Sequence, residues 1–80
     1  MNIGTLVTYD DEDPATTTHV GMVVEPTERE LAEIEARNAA TTDGPIGPEN
    51  GDVLVEWLED EPYRYWEHPS YLVEVETANV

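Results

Sequence analysis

Apolar positions concentrate in the last third of the chain, from Gly51 to Glu76. There Val53, Val55 and Trp57 alternate with Leu54, Glu56 and Leu58, a period of two in β-branched and aromatic residues that predicts a strand. The acidic turn Glu59-Asp60-Glu61-Pro62 breaks that run, and a second aromatic run, Tyr63 to Trp66, follows at hairpin distance. Pro69-Ser70 interrupts again before the apolar stretch Leu72 to Val75. The pattern therefore predicts strand, tight turn, strand, short turn, strand.

Earlier in the chain the pattern is sparser. Ile3 to Tyr9, ending in Leu6-Val7-Thr8-Tyr9, predicts a first strand, stopped by Asp10-Asp11-Glu12-Asp13-Pro14. Four adjacent acids and a proline repel one another and lack a donor, so residues 10–17 read as an exposed loop. Thr18 to Glu25 carries Val20, Met22, Val23 and Val24 and predicts a second strand. Gly21 in its middle suggests a bulge or a sharp bend, since glycine otherwise weakens a strand.

Residues 26–51 change character. Thr27 with Glu30 three positions later forms a capping box, in which each side chain satisfies an orphan backbone donor, so a short helix should start there. Leu31 and Ile34 give it one narrow apolar edge, and Arg29 with Glu33, then Glu33 with Arg37, are spaced for i to i+4 pairs. So thin a stripe suits a helix lying over a sheet or offering a contact edge to a partner. Asn38 to Gly51, with Ile46 as its one large apolar residue, reads as a long loop, either disordered or used in binding. The expectation is one domain over 1–80, with 26–51 as a helix-plus-loop insertion between the second and third strands.

Composition adds two constraints. A chain of 80 residues buries only about 60% of the surface its unfolded form exposes, and with no cysteine neither disulfides nor thiolate metal sites support the core. Charge is the stronger signal. Nineteen acids stand against three arginines (Arg29, Arg37 and Arg64) and no lysine, a formal net charge of −16. Acids predominate in the first, middle and last thirds alike, so the charge describes a surface and not a tail. Such a field repels phosphate backbones, and direct nucleic-acid binding is not expected. No apolar run nears the roughly 20 residues of a membrane helix, and no membrane role is expected. Two physical accounts of the acidity remain: adaptation to molar salt, where the Debye length falls to about 3 Å, or a basic partner.

Candidate chemistry is thin. Asp11 and Asp13 lack the glycine and the distal glutamate of a calcium loop, and His19 and His68 would need carboxylates to complete a zinc site. No nucleophile with a base, phosphate loop or metal cluster is legible, so no catalytic residue, metal or cofactor is assigned. An enzyme using Glu67 with His68 is the weakest of the readings.

Taken in order, these pieces resemble the SH3-like barrel, in which an RT-type loop, an n-Src-type loop, a distal hairpin and a 3₁₀ turn join five strands. The likeness rests on Leu6 to Tyr9, Gly51 to Trp57 and Tyr65 to Val75, where Pro69-Ser70-Tyr71 is similar to the turn that closes many SH3 domains. Gly4, His19-Val20-Gly21 and Trp66-Glu67-His68-Pro69 are further similar to small SH3-like proteins of tailed viruses, phage or haloarchaeal. The fold class expected is mainly β, a small five-stranded SH3-like barrel with at least one of Trp57 and Trp66 inside. The resemblance implies a virus-encoded minor virion or accessory protein, found in the virion or the host cytoplasm, with a capsid or tail protein as partner. Paired tryptophans of peptide-binding SH3 domains are missing, Asp52-Val53-Leu54 standing in their place. Tyr9, Pro69 and Tyr71 remain candidates for a groove flanked by Asp11 and Asp13 that suits an arginine-bearing peptide, and Leu31 and Ile34 for a second contact.

The function expected is a non-enzymatic protein–protein interaction module; the alternative is an acidic mimic of nucleic acid that inhibits a basic DNA- or RNA-binding protein. Adaptation to salt makes its own prediction. The thermal midpoint, followed by circular dichroism, should rise substantially between dilute and molar potassium chloride; a flat response removes that account of the acids.

Overall fold

A computed structural model describes residues 1–75; residues 76–80, which the one-domain assignment also takes in, lie outside the described residues. Five strands form one antiparallel sheet: β1 (Leu6–Tyr9), β2 (Gly21–Val24), β3 (Val53–Trp57), β4 (Tyr63–Glu67) and β5 (Leu72–Glu74). Their order across the sheet is β4-β3-β2-β1-β5. One helix, α1 (Glu28–Ala40), and a 3₁₀ turn (Pro48–Asn50) lie between β2 and β3, and a second 3₁₀ turn (Pro69–Tyr71) leads into β5.

The predicted strands are present, but the expected closed barrel needs correction. Among the described residues no ladder joins β4 to β5, so the hydrogen-bonded sheet is open. β5 has only three residues, all paired with β1, and the ladder ends there.

Residues directly opposed in an antiparallel ladder share a face. One row therefore runs Tyr63, Trp57, Gly21, Val7, Glu74 across all five strands. Val7, Val23, Val55, Trp57 and Leu72 form the core on this face, with Tyr9 and Val53 packed against it. Trp57 is fully buried, so the indole is the largest body in the core. Trp66, paired with Leu54 on the opposite face, is half-buried.

Gly21 makes neither a bulge nor a bend. Its pairings with Val7 and Trp57 continue in even register along both ladders. The reason for glycine is space: a Cβ there would lie 2.8 Å from Trp57 Cε3 and would also collide with Val55 Cγ1. Absence of a side chain lets the indole lie flat across β2.

The capping box forms as predicted: Glu30 N–H donates to Thr27 Oγ1 at 3.1 Å, and Thr27 N–H to Glu30 Oε1 at 2.9 Å. The helix is longer than the sequence pattern indicates, since Asn38, Ala39 and Ala40 belong to it and not to the loop. Alanine is the best helix former, and Asn38 finds partners that loop residues would otherwise lack. Its amide donates to Ile46 O at 2.7 Å and its carbonyl accepts from Ile46 N–H at 3.0 Å. Arg29 pairs with Glu33 at 3.0 Å, whereas Arg37 turns from Glu33 to donate to Asn38 Oδ1 and Gly44 O. Asp52 accepts from Gly47 N–H at 2.9 Å, so the segment after the helix is stitched at several points.

Seating of the indole on Gly21 yields a test. Gly21→Ala should cost about 1–3 kcal/mol in urea unfolding through overpacking, whereas Gly44→Ala, with no atom within 4 Å of the added carbon, should change stability little. Equal effects from the two substitutions would contradict this packing.

Candidate functional site

Tyr9 and Trp57 end β1 and β3 on the same side of the sheet and His19 stands two places before β2, while Glu67, at the opposite end of the β3–β4 ladder, reaches them across the inner face. Tyr9 and Trp57 have ring centroids 4.8 Å apart, and the His19 ring lies 4.4 Å from Trp57 and 5.5 Å from Tyr9, nearly parallel to both. Glu67 provides the polar centre. Its Oε2 accepts from the Tyr9 hydroxyl at 2.7 Å and from Trp57 Nε1–H at 3.2 Å. His19 is held from two sides: Nδ1 lies 2.7 Å from Glu59 Oε2, and its carbonyl accepts from the buried Thr8 hydroxyl at 2.6 Å.

Burial, followed by the hydrogen bond and charge of Glu67, pushes the Tyr9 phenol well above its ordinary value. A phenol held protonated this way is a hydrogen-bond donor, the reverse of an activated base or nucleophile. What the cluster does chemically is draw the sheet over its own inner face: Glu67 on β4 and Tyr9 on β1 are joined across that face, although three steps separate their strands.

Around this cluster the surface is acidic and aromatic. Tyr63 and Tyr65 lie on the inner face of edge strand β4, ring centroids 5.3 Å apart and edge to face, with Tyr65 61% exposed. Tyr63 is raised in pKa, first by burial and then by the charges of Glu59, Tyr65 and Glu67. On the other face Arg64 donates to Glu56 at 3.0 Å and to Glu30 at 2.8 Å. That bridge raises the guanidinium's pKa, with the Glu56 hydrogen bond the largest cause, and ties α1 to β4. Glu30 is held below the usual carboxylate range, chiefly by the Thr27 backbone donor.

The candidate residues are dispersed. Tyr9 points into the cluster with its hydroxyl engaged, while Tyr71 is 62% exposed and stands edge-on to His68. Pro69 opens the 3₁₀ turn and is half-buried. Asp11 and Asp13 are exposed, Asp13 accepting from Ala15 N–H at 2.9 Å within its own loop. Ile34 packs towards Gly47 and, with Leu31, lines a groove of about 450 Å³ beside Asn38 and Pro48. A second groove of about 320 Å³, lined by Glu30, Ile34, Leu54, Arg64 and Trp66, lies between α1 and the sheet.

Glu67 as the centre of the cluster, and Tyr63 with Tyr65 as an exposed pair, are absent from the sequence-based assignment. The signal for both was the hairpin: once Trp57 is set opposite Tyr63, alternation places Tyr63, Tyr65 and Glu67 on the indole's face. Comparison with known proteins gives no match, whether to a family model, a curated protein or a solved structure.

Tyr9→Phe removes a hydrogen bond to a carboxylate and should cost about 1.5–3 kcal/mol at neutral pH. A phenol whose folded pKa lies above its unfolded value contributes fully below about pH 10, and the contribution is lost as pH rises beyond it. The stability gap between the parent chain and Tyr9→Phe in urea unfolding should therefore shrink above about pH 10; a constant gap would contradict the arrangement.

Proposed function

We propose that this chain is a small SH3-like domain with an open sheet, acting as a non-enzymatic protein–protein interaction module for a partner with a basic segment. One observation carries the reading. All three guanidinium groups have partners within the chain, while the acids of the β1–β2 loop and Asp60 and Glu61 of the β3–β4 hairpin stand open to solvent. The acidic field is thus left for an external cation. The strand order, the tight β3–β4 hairpin and the 3₁₀ turn before β5 support the SH3-like assignment. The sequence resemblance extends the reading to a virus-encoded accessory or virion component.

Capture tests it. Immobilised chain, with tryptophan fluorescence reporting that it is folded, should retain one stoichiometric protein with a basic segment from extracts of the cells that make it. Retention should persist in molar potassium chloride, where charge is screened within about 3 Å and short-range contacts must hold the complex. A nucleic-acid-binding protein retained only in dilute salt would favour mimicry of nucleic acid, and no retained protein at either salt would remove the reading.

A further inference from the structure

We propose that the outer edge of β4 is a docking strand for an extended segment carrying arginine at alternate positions; this rests on the interaction-module reading and locates its contact. In an antiparallel ladder, residues that exchange hydrogen bonds with one neighbour alternate with residues whose backbone groups face the other side. Leu58 N–H donates to Val20 O at 2.9 Å, so even-numbered residues of β3 turn to β2. Val53, Val55 and Trp57 accordingly exchange bonds with Glu67, Tyr65 and Tyr63. Arg64 and Trp66 then direct N–H and C=O outward from the sheet, and among the described residues no backbone group bonds to them.

The two faces of this edge differ in charge. On one stand the exposed rings of Tyr63 and Tyr65, bordered by Glu59 and Glu67. On the other stand Trp66 and the Arg64 guanidinium, which already occupies the carboxylates of Glu56 and Glu30. In an added antiparallel strand, residues opposite Arg64 and Trp66 carry the hydrogen bonds and share their face, where Arg64 already holds Glu30 and Glu56 and leaves a further cation neither carboxylate open. Residues opposite Tyr63 and Tyr65 share the aromatic face, where a guanidinium stacks on a ring and reaches a carboxylate. The edge thus selects cations with a period of two. A second copy of the chain is the wrong occupant, because each copy brings a net charge of −16.

The probe is the capped peptide Arg-Thr-Arg-Thr-Arg, titrated into the full chain at a potassium chloride concentration that keeps it folded. Amide exchange by NMR should be fast at Arg64 and Trp66 in the free chain and slow in the saturated complex. N-methylation of both threonines, which removes the donors facing β4, should weaken binding about tenfold, and Tyr65→Ala about fivefold. A methylated peptide that binds equally well, or Arg64 and Trp66 amides still unprotected at saturation, overturns the docking strand. So does failure of the peptide to bind. In each case the interaction-module reading stands or falls separately, by whether the chain retains its partner in the capture experiment.

Discussion

An indole N–H taken out of water requires an acceptor, and here that acceptor is a carboxylate that also serves a phenol on a distant strand. Trp57 is the largest buried side chain of a chain with neither phenylalanine nor cysteine, so little else can fill the same space. Leaving its N–H unpaired would cost about 1–3 kcal/mol, a large part of the stability open to a domain of this size. Glu67 removes that penalty and, through Tyr9, joins β4 to β1 without any strand pairing between them. The sheet is consequently drawn together by side chains across its inner face while its ladder stays open.

Helix α1 is attached by different physics. It has no fully buried residue, and its link to the sheet is the Arg64 guanidinium held between Glu30 and Glu56. Glu30 has a double role, accepting from the cap backbone and from Arg64, so helix start and helix position depend on one carboxylate. At the other end Asn38 grips the peptide groups of Ile46. Partly exposed polar contacts of this kind contribute less than core burial, which makes α1 and the segment after it the lower-stability part of the chain.

Much of this architecture was legible in the sequence, and the misses have a common cause. Alternation located β3, an aromatic run and an apolar stretch located β4 and β5, and the Thr27 and Glu30 spacing located the helix start, because these signals are local. Gly21 was misread because its reason lies on another strand, under an indole 36 positions further along. The helix end differs because Asn38, Ala39 and Ala40 read in sequence with the glycine- and proline-rich segment that follows, whereas Asn38 bonds Ile46 from within the helix. That five short strands leave an open edge is legible, but which strands form it is not, since closure depends on how far the strands curl. Of the candidate site, Tyr9 was picked for its aromatic body, but its partners Glu67 and His19 come from opposite halves of the chain. Spacing in one dimension does not reveal such a meeting.

Charge and the open edge belong to the same problem. A strand edge with exposed aromatic rings invites pairing with another chain, and natural sheets commonly blunt it with lysine or proline. This chain has no lysine, and Pro62 stands just before β4. Carboxylates stand there instead: Glu59, Asp60 and Glu61 cap the hairpin beside the edge, and the rest of the surface adds to the same sign, a repulsion between like-charged strands that salt screens. Protection by a single sign of charge is selective, because it excludes other copies of the chain and all acidic strands while it attracts cationic ones. An edge blunted by proline would refuse every partner alike, whereas an edge guarded by carboxylates discriminates by charge.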